Sequence, residues 1–232
     1  MSNTIKSKIK TILFKSSFFK EFYEKRNEKK HLKEVIKNFN LNGISVIREF
    51  FRICESMNIE CWLVYGTLLG YIRENGLIKH DYDFDLGMWK SDYSEKLKNT
   101  LAENGFELVH QFEGIDYDAF EQTYKKNNVS IDIFYSYKNE TETWTHVFHR
   151  EKDDTLPPEI WKVRKLPYPN KGLTKTIFFD EHVFIPTNAE EYLALTYGEN
   201  WRIPDSNFDW KKGPYANSIL PGVFGKMHNF EK

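Results

Sequence analysis

The stretch HDYDFDLGM, residues 80–88, sets Asp81, Asp83 and Asp85 at every second position, with Tyr82, Phe84 and Leu86 between them. Alternate residues of a β-strand project from one face, so this spelling lines up three acids against an apolar opposite face. Aspartate is a poor strand former, and like charges on one face repel. A strand tolerates the arrangement most readily where a cation neutralises it, and carboxylate clusters suit Mg²⁺ or Mn²⁺. An acidic surface loop would be spelled the same way, so the surrounding sequence has to separate the two.

Upstream, ECWLVY (residues 60–65) reads as a buried strand, followed by Gly66, Thr67 and a short helix in YGTLLGYIRENG. Glycine at a strand-to-helix turn lets backbone approach a phosphate, and a helix N-terminus offers free N–H groups. If this strand and the acid strand are antiparallel neighbours, the turn stands beside the carboxylates. A further acid, Asp132 in SIDIF, sits alone in the apolar run of a later strand. A buried unpaired carboxylate is costly. On the strand next to Asp83 and Asp85 it would complete a metal site or act as a base; elsewhere it would pair with a buried Arg or mark a strand end.

The rest of the chain supplies an α+β framework. Leu41 to Met57 places Ile44, Ile47, Phe50, Phe51, Cys54 and Met57 at helical spacing. Ser91 or Asp92 can N-cap a helix running through Asn104, with Gly105 as its stop. FELVH, AFEQTYKK and NVSIDIFYSY read as strands, the last two joined by a KNN turn. TIFFDEHVFIP reads as a strand pair and NAEEYLALTYG as a capped helix ended by Gly198. Residues 38–232 form the expected catalytic domain. Residues 1–37 are distinct, with eleven Lys/Arg against four Glu, a local charge of +7. Ile5, Ile9, Ile12, Leu13, Phe18, Phe19 and Phe22 recur among those lysines as in a basic amphipathic helix, which either lies on an anionic membrane or packs on its own domain.

Net charge −1 leaves no global field for nucleic acid. Cys54 and Cys61 have apolar flanks and no histidines at zinc spacing, so both read as buried thiols in a reducing compartment. The N-terminus lacks an apolar stretch with a cleavage site, and no run reaches the roughly 18 apolar residues of a membrane span. The expectation is a cytoplasmic protein, with peripheral contact at the inner face of the membrane as an option.

A GT turn, then Asp-x-Asp, then a lone strand Asp is the order of the nucleotidyltransferase (polymerase-β-like) fold. The run CWLVYGTLLGYIRENGLIKHDYDFDLGMWKSDY resembles the LicD family. The shared elements are Gly66 to Gly70, Arg73, Gly76-Leu77-Ile78, and Asp81, Asp83 and Asp85, with IDIF around Asp132 and EEYLALTYGENWRIP farther on. Two positions depart from the family pattern: Lys79-His80 stands where Pro-Trp is common, and Tyr82 where many bacterial members carry Asp. The resemblance implies an α+β, nucleotidyltransferase-like mixed sheet with packed helices and additional C-terminal elements. It also implies transfer of a phosphoalcohol (phosphocholine, ribitol phosphate or glycerol phosphate) from a CDP-activated donor to a glycan or lipid-linked glycan hydroxyl. On that basis Asp83 and Asp85 hold Mg²⁺ (or Mn²⁺), and Asp81 is a third ligand or a support. Asp132 completes the site or accepts a proton, Gly66 and Thr67 contact phosphate, and Arg73, Lys79 and His80 face the donor. A nucleotide-adding enzyme is the nearest rival, and a catalytically idle membrane-associated assembly protein the more distant one. Trp62, Trp89, Trp144 and Trp161 could cage a choline cation, stack on sugars or pack a core.

Overall fold

The computed structural model describes residues 17–79, 81–205 and 207–231. Helix α1 (Ser17–Ser56) runs 40 residues without interruption across position 37. Ile5, Ile9, Ile12 and Leu13 lie outside the described residues. The buried face of α1 comes from Phe39, Val46, Ile47, Phe50, Phe51, Ile53 and Cys54, each below a tenth exposed, whereas Ile44 is 45% exposed and turns away. No described helix is long and apolar enough to cross a membrane.

After α1 come β1 (Cys61–Leu63), α2 (Tyr65–Glu74), β2 (Asp83–Trp89), α3 (Glu95–Glu103), β3 (Glu107–Ile115), β4 (Phe120–Lys126) and β5 (Val129–Lys138). Then follow β6 (Glu142–His149), β7 (Ile160–Pro169), β8 (Leu173–Phe178), β9 (Glu181–Pro186), α4 (Ala189–Tyr197) and β10 (Ile219–Asn229). The ten strands make one mixed sheet in the order β4-β3-β10-β7-β6-β5-β2-β1-β9-β8. The chain is therefore α+β. The short β1 is antiparallel to β2, with Trp62 opposite Gly87, so the turn ending β1 does abut the acid strand.

Strand β5 is the hinge of the topology. One edge takes β2 in parallel from Asp83↔Ser130 to Trp89↔Ser136. The other edge takes β4 up to Phe134 and then β6 from Ser136. Because β10 bridges β3 and β7, the pairings β5-β4-β3-β10-β7-β6-β5 close into a ring. A small second core, Ala119, Phe148 and Val163 with Phe112 and Trp161, belongs to this ring. Sequence patterning does not announce β6, β7 or β10, for β7 carries Pro167 and Pro169, and β10 breaks register between Ile219 and Phe224. Both prolines fall beyond Arg164, where β10 no longer pairs with β7, so their missing N–H groups cost that edge nothing.

The alternation of β2 resolves as two faces. Phe84, Leu86 and Met88 are fully buried. They share the main core with Ile131 and Ile133 of β5, and Phe39 of α1 meets Phe84 at 4.8 Å. At about 1.5–3 kcal/mol per buried side chain, these three outweigh a strand-propensity penalty of about 1 kcal/mol. Local signals are partly displaced. Ser94, not Ser91 or Asp92, caps α3 by accepting from the Leu97 N–H, while Ser91 and Asp92 lie in a preceding 3₁₀ turn. Asn127 and Asn128 both adopt positive φ in the hairpin between β4 and β5, as a two-residue turn requires. Asn188 does not cap α4 through its side chain, which donates instead to Glu191. Cys54 and Cys61 are buried free thiols.

Candidate active site

On the face of the sheet opposite α1, register brings acids from three strands together. Asp85 of β2 stands directly beside Asp132 of β5, and Asp83 lies one step along beside Ser130. Across the other edge of β5, Thr123 pairs with Asp132 and Glu121 with Phe134, so Glu121 joins the same face. The Thr123 hydroxyl donates to Asp132 Oδ1 at 2.6 Å. Glu121 was not singled out from the sequence, because in FEQTYKK an acid alternating with apolar residues reads as an ordinary solvated strand face. Asp81 precedes β2 rather than belonging to it, and its N–H donates to the Ile78 carbonyl at 3.0 Å. Its carboxylate nevertheless reaches the cluster: a Cβ on Gly66 would stand 3.0 Å from Asp85 Oδ2 and 3.5 Å from Asp81 Oδ2.

The strand-to-helix turn holds Asp85. Tyr65 adopts φ +41°, a region bulky side chains rarely occupy, and α2 begins there, one residue before Gly66. The Gly66 N–H donates to Asp85 Oδ2 at 2.9 Å, and the Asp85 N–H donates to Thr67 Oγ1 at 2.8 Å. Thr67 is 1% exposed, and its hydroxyl oxygen is the acceptor for that Asp85 N–H. The Gly66 N–H is likewise already engaged. Arg73, at the end of α2, pairs with Glu74 at 2.8 Å and donates to the Trp201 carbonyl at 3.3 Å, tying α2 to the segment after α4. Lys79 is exposed on the approach to Asp81, and His80 lies outside the described residues.

A cavity of about 590 Å³ opens over this face, lined by Asp81, Asp85, Glu121 and Asp132 together with Arg164, Tyr197, Phe208 and Trp210. Volumes of this order suit small-molecule ligands. Arg164 and Trp210 also escaped notice in the sequence, where a basic residue in WKVRKL carries no local signal. Trp62, Trp89 and Trp144 line a separate cavity together with Phe134, Tyr168 and Tyr192. Trp62 packs on Trp89 at 4.5 Å, Trp144 stacks on Tyr137 at 5.9 Å, and Trp161 meets Phe112 at 5.1 Å.

Burial raises every acid in the cluster, and repulsion from neighbouring carboxylates adds to the rise at Asp83, Asp85 and Glu121. Burial pushes Asp81 up to about 6. Burial, then repulsion from Asp132 and Asp81, pushes Asp83 up to about 8. Asp85 rises well above the carboxylate range through burial and then Asp83, Asp132 and Asp81, relieved by the Gly66 N–H. Burial also raises Asp132, opposed by the Thr123 hydroxyl and by His110. Glu121 rises through burial and the Asp132 charge, and its Oε2 is buried without a hydrogen-bond partner. Among the described residues, no three His, Cys, Asp or Glu side chains form a ready-made metal cage. The cluster instead offers adjacent carboxylates and a shortage of positive charge.

Fold and site together define an α+β protein with a carboxylate-lined cavity fed by a strand-to-helix turn. The chain is related to the LicD family: residues 58–169, from just before β1 to the end of β7, match the family described as LicD/FKTN/FKRP, nucleotidyltransferase domain. Mouse ribitol-5-phosphate transferase FKTN is 30% identical over 171 residues, 72% of this chain and 35% of that protein. The human protein of the same name is 29% identical over 169 residues, 71% of this chain and 35% of its own length. Human ribitol 5-phosphate transferase FKRP is 28% identical over 158 residues, 63% of this chain and 29% of that protein. The chain thus spans about a third of the length of these curated relatives, at 29–35%.

Proposed function

We propose that this protein is a metal-dependent transferase that moves a phosphoalcohol from a CDP-activated donor to a hydroxyl of a glycan, on a nucleotidyltransferase-like fold. The observation that carries the reading is the side-by-side placement of Asp85 and Asp132 in a cavity with too little positive charge to neutralise them. Among phosphocholine, glycerol phosphate and ribitol phosphate, the names of the relatives favour ribitol phosphate.

The residues fit a divalent cation of the Mg²⁺ or Mn²⁺ type, which commonly binds through one or two carboxylates and completes its shell with water and substrate phosphate. Asp85 and Asp132 would hold it, with Asp83 and Asp81 as further or supporting oxygens. Such an ion supplies neutralisation of the charge that develops on departing CMP. The Gly66 N–H and Thr67 hydroxyl keep Asp85 oriented. Thr123 occupies Asp132 Oδ1, leaving Oδ2 for a ligand or for the proton of the attacking hydroxyl. Glu121, with its raised pKa and unpartnered oxygen, stands on the same face to share that proton. Attack at the phosphorus bearing the alcohol releases CMP, whereas attack at the nucleoside phosphorus releases the phosphoalcohol. Incubation with Mg²⁺ and CDP-ribitol, CDP-glycerol or CDP-choline, with product analysis in the presence of candidate glycans, tests the reading. Release of free phosphoalcohol would establish nucleotidyl transfer instead, and no product from any donor would favour the idle-protein reading.

Metal dependence has a thermal signature. An acid raised in the folded state stabilises the protein fully below its unfolded pKa near 3.9 and loses that contribution as pH climbs. The loss extends to about pH 6 for Asp81 and about pH 8 for Asp83. Without divalent ions, the melting temperature is therefore expected to fall between pH 5 and 8. Saturating Mg²⁺, worth about 2.7 kcal/mol at a hundred times Kd, should restore roughly 5–10 °C at pH 8 and less at pH 5. A melting curve indifferent to Mg²⁺ and Mn²⁺ at every pH would sink the metal assignment.

The same reading places residues 1–37, with their +7 charge, against an anionic membrane where lipid-linked acceptors are assembled. Deleting residues 1–28 is then expected to abolish salt-sensitive binding to anionic vesicles while preserving turnover on a soluble acceptor. Equal vesicle binding by the full-length and truncated chains would remove the docking role.

A further inference from the structure

Strand β7 places one arginine where a positive charge has no paired counterion. Arg164 is 3% exposed and stands opposite Val147 of β6 and Ile219 of β10. Its Nη2 donates to the Lys211 carbonyl at 3.3 Å, while Nε and Nη1 are buried with no hydrogen-bond partner. Trp210 covers the guanidinium at 5.2 Å. Glu151 and Asp209 attract it only at longer range, and burial outweighs them, lowering its pKa. A guanidinium is always charged and presents a rigid fork of donors, so burying it with two nitrogens unused is expensive. Arg164 lines the same cavity as Asp85, Glu121 and Asp132, yet no ion pair joins it to any of them among the described residues. The cavity lining therefore combines acidic groups with an under-bonded arginine.

A ligand that satisfies both must carry anionic oxygens of its own. Planar, forked recognition of phosphate is what arginine does best. We propose that Arg164 is the phosphate receptor of this cavity: its guanidinium binds oxygens of an organic pyrophosphate held in the same cavity as the carboxylates. The assignment rests on the phosphoalcohol-transfer reading for the identity of that ligand, and Trp210 and Lys211 act as the positioning groups that hold the fork. Arg164 thus distinguishes pyrophosphate-bearing ligands from neutral sugars of similar size.

The test is calorimetric titration with inorganic pyrophosphate in Mg²⁺, comparing the wild type with Arg164→Met, which keeps an unbranched stem without the charge, and Arg164→Lys, which keeps charge without the fork. Pyrophosphate affinity is expected to fall at least tenfold in Arg164→Met and by a smaller factor in Arg164→Lys, with Mg²⁺ binding alone unchanged. Equal affinity in all three proteins, or no pyrophosphate binding by the wild type, would overturn the assignment. Should Arg164→Met fail to fold, Arg164→Lys decides alone: a loss of threefold or more supports the fork, and unaltered affinity refutes it. CMP release by the wild type from the three CDP-alcohols separates the two readings. Arginine-dependent binding without CMP release keeps the receptor and removes the transfer reaction, whereas CMP release with the same donor KM in Arg164→Met does the reverse.

Discussion

Asp85→Asn is expected to lower turnover by about a hundredfold to a thousandfold, the cost of removing one well-placed electrostatic group, while leaving the fold intact. Asp85 has Asp132 beside it, the Gly66 N–H on its Oδ2 and the Thr67 hydroxyl on its backbone N–H, so it is the most constrained acid of the cluster. Asparagine keeps an oxygen for the Gly66 N–H and discards the charge that Asp83, Asp132 and Asp81 oppose. Melting temperature should therefore hold or rise. Asp85→Ala is the informative contrast, because it leaves the Gly66 N–H without its partner and should cost about 1–3 kcal/mol of stability in addition to activity. CMP release and thermal denaturation on the same preparations separate the effects. Turnover within tenfold of wild type in Asp85→Asn would remove Asp85 from the reaction.

Gly70→Ala should destabilise the protein by about 2 kcal/mol and lower its melting temperature by roughly 4–8 °C. A Cβ at Gly70 would stand 2.7 Å from the Gly76 carbonyl, 3.0 Å from the Ile78 nitrogen and 3.3 Å from the Leu77 Cα. All three are backbone atoms, so no side chain can swing aside. Alanine's helix preference over glycine, about 1 kcal/mol, offsets only part of that overlap. The Gly70 carbonyl also accepts from the N–H groups of Asn75, which ends α2 in the left-handed conformation, and Gly76. The segment thus pressed against α2 leads straight to Asp81 through the Ile78 carbonyl, so the acid cluster should shift as well. A melting temperature within 1 °C of wild type would show that the 76–78 segment is free to move away. The close approach accounts for the second glycine of GTLLG, whereas a Cβ at Gly76 would meet nothing nearer than the Glu74 carbonyl at 4.0 Å.

What the sequence determined by itself was local. Period-two spacing put Asp83 and Asp85 on one strand face with Phe84 and Leu86 on the other, because the pleat of a strand is a property of adjacent residues. Glycine and asparagine marked some of the places where the backbone adopts positive φ, at Gly105, Asn127, Asn128 and Gly198, because sterics at one residue favour them there. The isolation of Asp132 in an apolar run announced a special position, since an unpaired buried acid is too costly to be incidental. Tertiary structure decided the rest. The parallel register of β2 on β5 placed Asp132 beside Asp85 and drew Glu121 in from the far edge of β5, and it moved Asp81 off the strand without removing it from the cluster. Thr67 turned inward to serve Asp85, and closure of the strand ring set Arg164 in one cavity with acids far away in the chain. Conformational preference is settled between neighbouring residues, whereas register, ring closure and the balance of buried charge depend on partners that only folding brings within reach.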